Sequence, residues 1–204
     1  MKNVLFKLGV PVLLLYSIFI VIVELQYGQT GVREYLTDIN GSGPFYGLNT
    51  TFTTILLTLT SYNFILCALR YHKKEKGRNL QLLFFIIQAL IFLYLALDER
   101  FKVHERVGGK LGIDDAYVLG LVGVGELVVL YYFKELLWNN TLKSYALYLG
   151  GLCFGIMILI DAFGAKEGLL RLSFEDLSKT WAIFFLFIYS FETFRVWSKK
   201  SSQS

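Results

Sequence analysis

Long apolar runs separated by short charged or glycine-bearing stretches recur six times along this chain, over residues 4–25, 51–69, 80–97, 117–133, 145–160 and 180–197. Roughly 20 apolar residues, at about 1.5 Å rise each, cross a hydrocarbon core of about 30 Å, and all six runs approach that length. Lipid offers no partner for free backbone groups, and the period-two alternation of barrel strands is missing, so every run is predicted to be an α-helix. The fourth and fifth runs are short and reach full length only with flanking residues such as Asp115, Lys134, Lys143 and Asp161. The expected fold class is an all-α, polytopic transmembrane helix bundle of about six spans, forming one integral membrane domain over residues 1–204.

The basic residues orient this bundle. With the N-terminus inside, Lys2, Lys7, the Arg70–Arg78 cluster, Lys134, Lys143, Arg195, Lys199 and Lys200 all fall on the inner side, 12 of the 20 Lys and Arg. Short loops rich in Lys and Arg stay cytoplasmic, so both termini are predicted inside, in the cell (inner) membrane. Eleven of the 16 carboxylates then lie outside. The first outer loop, 26–50, carries Gly28, Gly31, Gly41, Gly43, Pro44 and Gly47, which favour turns over packed structure and suit a cover for the outer mouth. The basic start and apolar stretch at the N-terminus resemble a signal peptide, but Glu24-Leu25-Gln26-Tyr27 closes the run without a small-x-small cleavage site, and an uncleaved first span is expected.

Composition narrows the class further. Hydrophobic residues make up 55% of the chain and the mean hydropathy is +0.53, too apolar for an ordinary soluble domain. A net charge of +4 spread over short loops gives no nucleic-acid footprint and makes the lipid bilayer the expected partner, with a membrane-protein partner or homo-oligomer left open. Cys67 and Cys153 sit inside apolar runs, as buried thiols rather than a disulfide framework or redox pair.

The chemistry concentrates at the end of the third run, where Asp98-Glu99-Arg100-Phe101-Lys102-Val103-His104-Glu105 follows the hydrocarbon directly. Ionisable groups at that depth need partners or a task. A helix continuing past Leu97 puts Asp98, Phe101, Glu105 and Gly108 on one face with His104 at its edge, and leaves Glu99, Lys102 and Arg106 as a self-neutralising stripe, with Lys102 also close enough to pair with Asp98 or Glu105. Asp98, His104 and Glu105 therefore form the candidate site, with Asp161 or Glu175 completing it from facing helices. Asp161 ends the fifth run against the helix dipole and needs Lys166, Arg171 or a cation beside it. Ser173-Phe174-Glu175-Asp176 reads as a helix start with Ser173 as N-cap, and Asp114 and Asp115 as another. Glu126 is the acid expected deepest in the membrane, and Glu192 is expected to pair with Arg195. Thr51, Thr54, Thr58 and Ser61 form a hydroxyl stripe, and Gly151-x3-Gly155 reads as a close helix crossing.

The segment Leu97-Asp98-Glu99-x4-His104-Glu105 resembles uncharacterised families of bacterial multi-span membrane proteins whose helices end in Leu-Asp-Glu-x4-His-Glu. Glu175-Asp176 is similar to the acidic pair that enters a late span in those proteins. The resemblance covers the chain from the third run onward and implies a multi-span helical fold with no established activity.

His72 and His104 are the only histidines and fall on opposite sides, which excludes bis-histidine haem and three-histidine zinc. A carboxylate-dominated site with His104 as its one nitrogen ligand suits a divalent cation held by Asp98, His104 and Glu105. Three functions stay open: a pocket that binds a cation or protons, a membrane enzyme using the same residues on a lipid or small apolar substrate, and an accessory or assembly subunit. In a transporter, Glu126 would link the pocket to the inside.

Overall fold

The computed structural model describes residues 4–36, 47–74, 79–113, 115–135, 141–164, 168 and 170–202. Seven helices lie among them: α1 (Val4–Leu36), α2 (Leu48–Lys74), α3 (Asn79–Phe101), α4 (Val103–Leu111), α5 (Asp115–Tyr132), α6 (Leu142–Phe163) and α7 (Arg171–Ser202). Six coincide with the apolar runs and extend past their charged ends, while α4 is a short addition at the junction of α3 and α5. By length and composition, segments of α1, α2, α3 and α6 are able to cross a membrane, and the apolar part of α5 is shorter. Leu8, Val12, Leu15, Leu121, Val128 and Leu152 all stand more than half exposed. Apolar surface on this scale requires a non-aqueous surround.

Helix α7 is the axis of the bundle, packed on α6, α2 and α1. Ala182, Ile183, Phe184, Phe185, Ile188 and Tyr189 are buried there. Between helices in lipid, polar side chains supply specific contacts that apolar burial alone does not. Asn63 donates to Ser190 Oγ (3.0 Å), Thr180 donates to Asn49 Oδ1 (2.8 Å), Ser61 donates to the Ala89 carbonyl (2.8 Å) and the Trp181 indole donates to Ser17 Oγ (3.0 Å). The expected hydroxyl stripe on α2 is divided: Ser61 packs against α3 as described, but Thr51 and Thr58 are exposed, and Thr53 and Thr60 are the buried hydroxyls.

Two expectations fail here. Residues 26–36 were expected in a turn-rich loop, yet α1 runs to Leu36 across a break at Gly28, whose φ of 70° suits a residue without Cβ. Beyond that break Val32 and Leu36, four apart, are buried with Ile20, Val23 and Leu177. Their burial holds the second segment onto the bundle end, and Thr50 fixes it by donating to the Leu36 carbonyl (3.0 Å). Of the rest of that loop, 48–50 begin α2 and 37–46 lie outside the described residues.

Gly151 and Gly155 were expected at a close helix crossing. A Cβ at either would meet nothing within 4 Å, whereas one at Gly150 would lie 2.9 Å from Leu186 and 3.3 Å from the Ala182 carbonyl oxygen. Gly150 therefore makes the α6–α7 approach, one residue round the helix from the pair that the spacing suggested.

Candidate functional site

The α3 helix does not run through the ionisable cluster. Lys102 adopts a left-handed conformation (φ 53°, ψ 49°) that ends α3 and starts α4. Residues six apart on a straight helix point about 120° away from each other. After this turn, His104 comes back over Asp98: its backbone N–H donates to Asp98 Oδ1 (2.7 Å) and its Nδ1 lies 2.6 Å from Asp98 Oδ2. Asp98 is buried. It caps the first turn of α4 and holds the imidazole with the same carboxylate. The common face expected for Asp98, Phe101 and Glu105 is not formed, since Phe101 is exposed and Glu105 turns to Lys102 (2.8 Å).

The self-neutralising stripe is likewise replaced. Glu99 pairs with Lys179 of α7 (3.1 Å) and accepts from the Thr53 hydroxyl of α2 (2.9 Å), so one carboxylate ties three helices. Lys179 also reaches Asp176 (3.1 Å). Burial opposes the Lys179 ammonium, yet Glu99 and Asp176 together outweigh it and hold its pKa above the ordinary lysine value. Burial pushes the Asp176 carboxyl up, while Lys179 pulls it back.

Arg171 supplies the compensation that Asp161 requires. Its guanidinium lies 3.3 Å from Asp161 Oδ1 and 3.2 Å from Glu175 Oε2, bridging the end of α6 to the first turn of α7. Burial, then the Asp161 and Asp176 carboxylates, push Glu175 up to about 7 against the pull of Arg171 and Lys179. These groups precede Thr180, before the apolar stretch of α7. Lys166, the other partner considered for Asp161, lies outside the described residues, as do Asp114 and Glu167.

Sequence reading missed Glu24. It was expected only to close the first apolar run, but it is fully buried in α1. It accepts from the backbone N–H of Ser173 (3.0 Å) and from the Ser173 hydroxyl. Helix α7 begins at Arg171, so Ser173 is inside the first turn and not its N-cap. The carboxylate of another helix satisfies one of the orphan N–H groups at the positive end of the dipole. An acid at the close of an apolar run was the available signal.

Asp98, His104, Glu105, Asp161 and Glu175 all line one cavity of about 180 Å³ at this end of the bundle. Glu99, Lys102, Asp176 and Lys179 line it too, above a floor that includes Leu95, Phe154 and Leu186. Six carboxylates thus face Lys102, Lys179 and, behind them, Arg171. The proposed metal set is not assembled: both Asp98 oxygens are engaged by His104, and Glu105 is engaged by Lys102. Among the described residues no three His, Cys, Asp or Glu side chains are placed to hold a metal ion.

Glu126 stands apart from this cavity. Gln88 of α3 donates to both of its oxygens (2.8 and 3.0 Å), at an apolar cleft of about 530 Å³ between α3, α5 and α6. Glu192 pairs with Arg195 at the opposite end of the bundle, as the spacing suggested.

No curated protein and no solved structure matches the chain. A family model does, over residues 7–193, and the chain belongs to that family, described as a domain of unknown function, DUF8692.

Proposed function

We propose that this chain is a single integral membrane domain that crosses the cytoplasmic (inner) membrane six times with both termini inside, and that its outer polar pocket binds protons or a compact organic cation. One observation carries the binding reading: among the described residues, six carboxylates converge on one small cavity against three cations. At the edge of hydrocarbon such an excess is relieved by protonation or by a positively charged guest. Asp161, Glu175 and Asp176 are the groups best placed to take it up, because each shares its cation with another carboxylate.

Six spans are supported by α5 and α7, which complete the set begun by α1, α2, α3 and α6. The 32 residues of α7 reach about 48 Å, and its charged first and last turns flank the apolar stretch. Reporters fused at Ser204 and within 108–113 should report opposite sides of the membrane, and signals from one side would overturn the orientation. For proton binding, infrared difference spectra of the purified protein should contain a carboxylic-acid band that titrates near pH 7 and is lost in Glu175→Gln. Complete ionisation of the carboxyls by pH 5 would overturn it.

A second reading has its own observation. The short Asp98–His104 contact places a proton on Nδ1 facing the carboxylate, and in the neutral ring that arrangement prepares a histidine to act as general base through Nε2. In a membrane enzyme acting on a lipid, His104→Asn would abolish turnover while leaving the Glu175 band in place.

A further inference from the structure

The polar pocket and the apolar cleft share three wall residues, Leu95, Phe154 and Leu186. The two spaces therefore adjoin, one lined by charges and the other by aliphatic and aromatic groups with Glu126 as its one carboxylate among the described residues. From Gly120 to Leu130 along α5 the cleft runs roughly 15 Å, about half of a 30 Å hydrocarbon core and so about one leaflet deep. Glycines on facing helices leave most of it empty of protein: a Cβ at Gly120, Gly151 or Gly155 would meet no atom within 4 Å, whereas the space at Gly123 is taken by the Phe154 ring, 3.1 Å from where a Cβ would lie. Helix α5 packs mainly on α4 and α6, and the Gln88–Glu126 hydrogen bonds join it to α3 partway along the cleft.

We propose that pocket and cleft are the two halves of one site for an amphiphile of the outer leaflet, with an amine-bearing head among the carboxylates and a single alkyl chain between α3, α5 and α6. The proposal rests on the reading above that the pocket takes a positive guest, and it adds the class of that guest. Charge selects the head: an excess of carboxylates attracts an ammonium and repels a carboxylate or phosphate. Shape and polarity select the tail, since the cleft presents Ile91, Val122, Leu127 and Ile158 and a line of missing side chains to whatever fills it. An ammonium on a hydrocarbon chain satisfies both halves at once. A small hydrophilic cation leaves the cleft unfilled, and a two-chain phospholipid brings a phosphate to the carboxylates and a second chain with no second cleft beside the pocket among the described residues.

Saturation binding of radiolabelled hexadecylamine to the full chain in nanodiscs tests this, with hexadecanoate and ethylamine as competitors. Ethylamine should compete at least tenfold more weakly than unlabelled hexadecylamine, and hexadecanoate not measurably. Gly155→Leu and, on the opposite wall, Gly120→Leu should each weaken hexadecylamine binding at least tenfold while the Glu175 infrared band persists. Two independent variants guard against one failing to fold, and thermal unfolding checks both. Equal competition by hexadecylamine and hexadecanoate would show an annular lipid only and overturn the proposal. Equal competition by ethylamine and hexadecylamine, or full affinity in both filled variants, would remove the cleft from the site yet leave the proton-binding reading standing. Loss of the Glu175 band in the unaltered protein would instead remove that underlying reading.

Discussion

Asp98 and His104 touch because the chain turns left-handed between them at Lys102. The contact places an imidazole over a buried carboxylate at the point where three helices meet a polar cavity. Neither residue belongs to the other's helix, so the pair depends on a backbone conformation that side chains with a Cβ rarely adopt.

That dependence makes Lys102 a sensitive position. Lys102→Gly removes the left-handed penalty but loses the ion pair to Glu105 and one of the cations facing the pocket carboxylates, so the effects oppose and stability should change by no more than about 1 kcal/mol. Lys102→Pro fixes φ near −65° and deletes the N–H that bonds the Asp98 carbonyl, and should cost about 3 kcal/mol or more. Thermal unfolding in detergent measures both. Equal effects of Gly and Pro would mean that the turn is not maintained in solution.

The Glu99–Lys179–Asp176 bridge should behave as one unit. Lys179→Met strips both carboxylates of the cation that bridges them and should destabilise by about 3–5 kcal/mol. Adding Glu99→Gln to that variant should recover part of the loss, giving a coupling energy of about 1 kcal/mol or more in a double-mutant cycle. Simple additivity would show that solvent, and not Lys179, balances Glu99.

Glu175 sets a pH dependence whose sign is fixed by its environment. Its folded pKa of about 7 exceeds its ordinary value of 4.5, so the folded state binds the proton more tightly. The stabilisation is full below pH 4.5 and is lost as pH rises through 7. One unit corresponds to about 1.4 kcal/mol, which bounds the Glu175 contribution at about 3 kcal/mol. Melting temperature should therefore fall between pH 5 and pH 8, and Glu175→Gln should flatten that slope. An unchanged slope in the variant would assign it to Asp176 or another group.

Periodicity and length were enough to place six of the helices, because lipid forces the backbone into helices wherever apolar residues run long enough. Helix ends were harder to read. Apolar content says where hydrocarbon stops, but α6 extends to a local Thr141 cap, and α1 past Gly28 and the start of α7 are held by contacts from residues far away in sequence. The candidate residues were legible as charges out of place, and five of them do line one cavity. Their partners were not, since Glu99–Lys179 and Glu24–Ser173 join residues 80 and 149 positions apart. The assumption of a straight α3 allowed the Lys102–Glu105 pair that forms but missed the Asp98–His104 contact, because nothing in the local spacing signals a left-handed lysine.

Glu126 offers the last discrimination, because a path for protons and a bed for an alkyl chain require opposite linings. Between Glu126 and the polar pocket the shared wall is Leu95, Phe154 and Leu186, none of which carries a proton. The Gln88–Glu126 pair then serves to join α3 to α5, and its variants should follow hydrogen-bond logic. Glu126→Gln keeps a partner for Gln88 and should be mild, whereas Gln88→Leu strips the carboxylate of both bonds and should cost about 1–3 kcal/mol. Replacing both by Leu should recover most of that loss. Glu126→Gln should also leave the infrared titration of Glu175 where it is. A shift of that titration would mean that the two acids are electrostatically coupled through the cleft, as a polar path between them requires, and would favour a transporter over a pocket that closes on an alkyl chain.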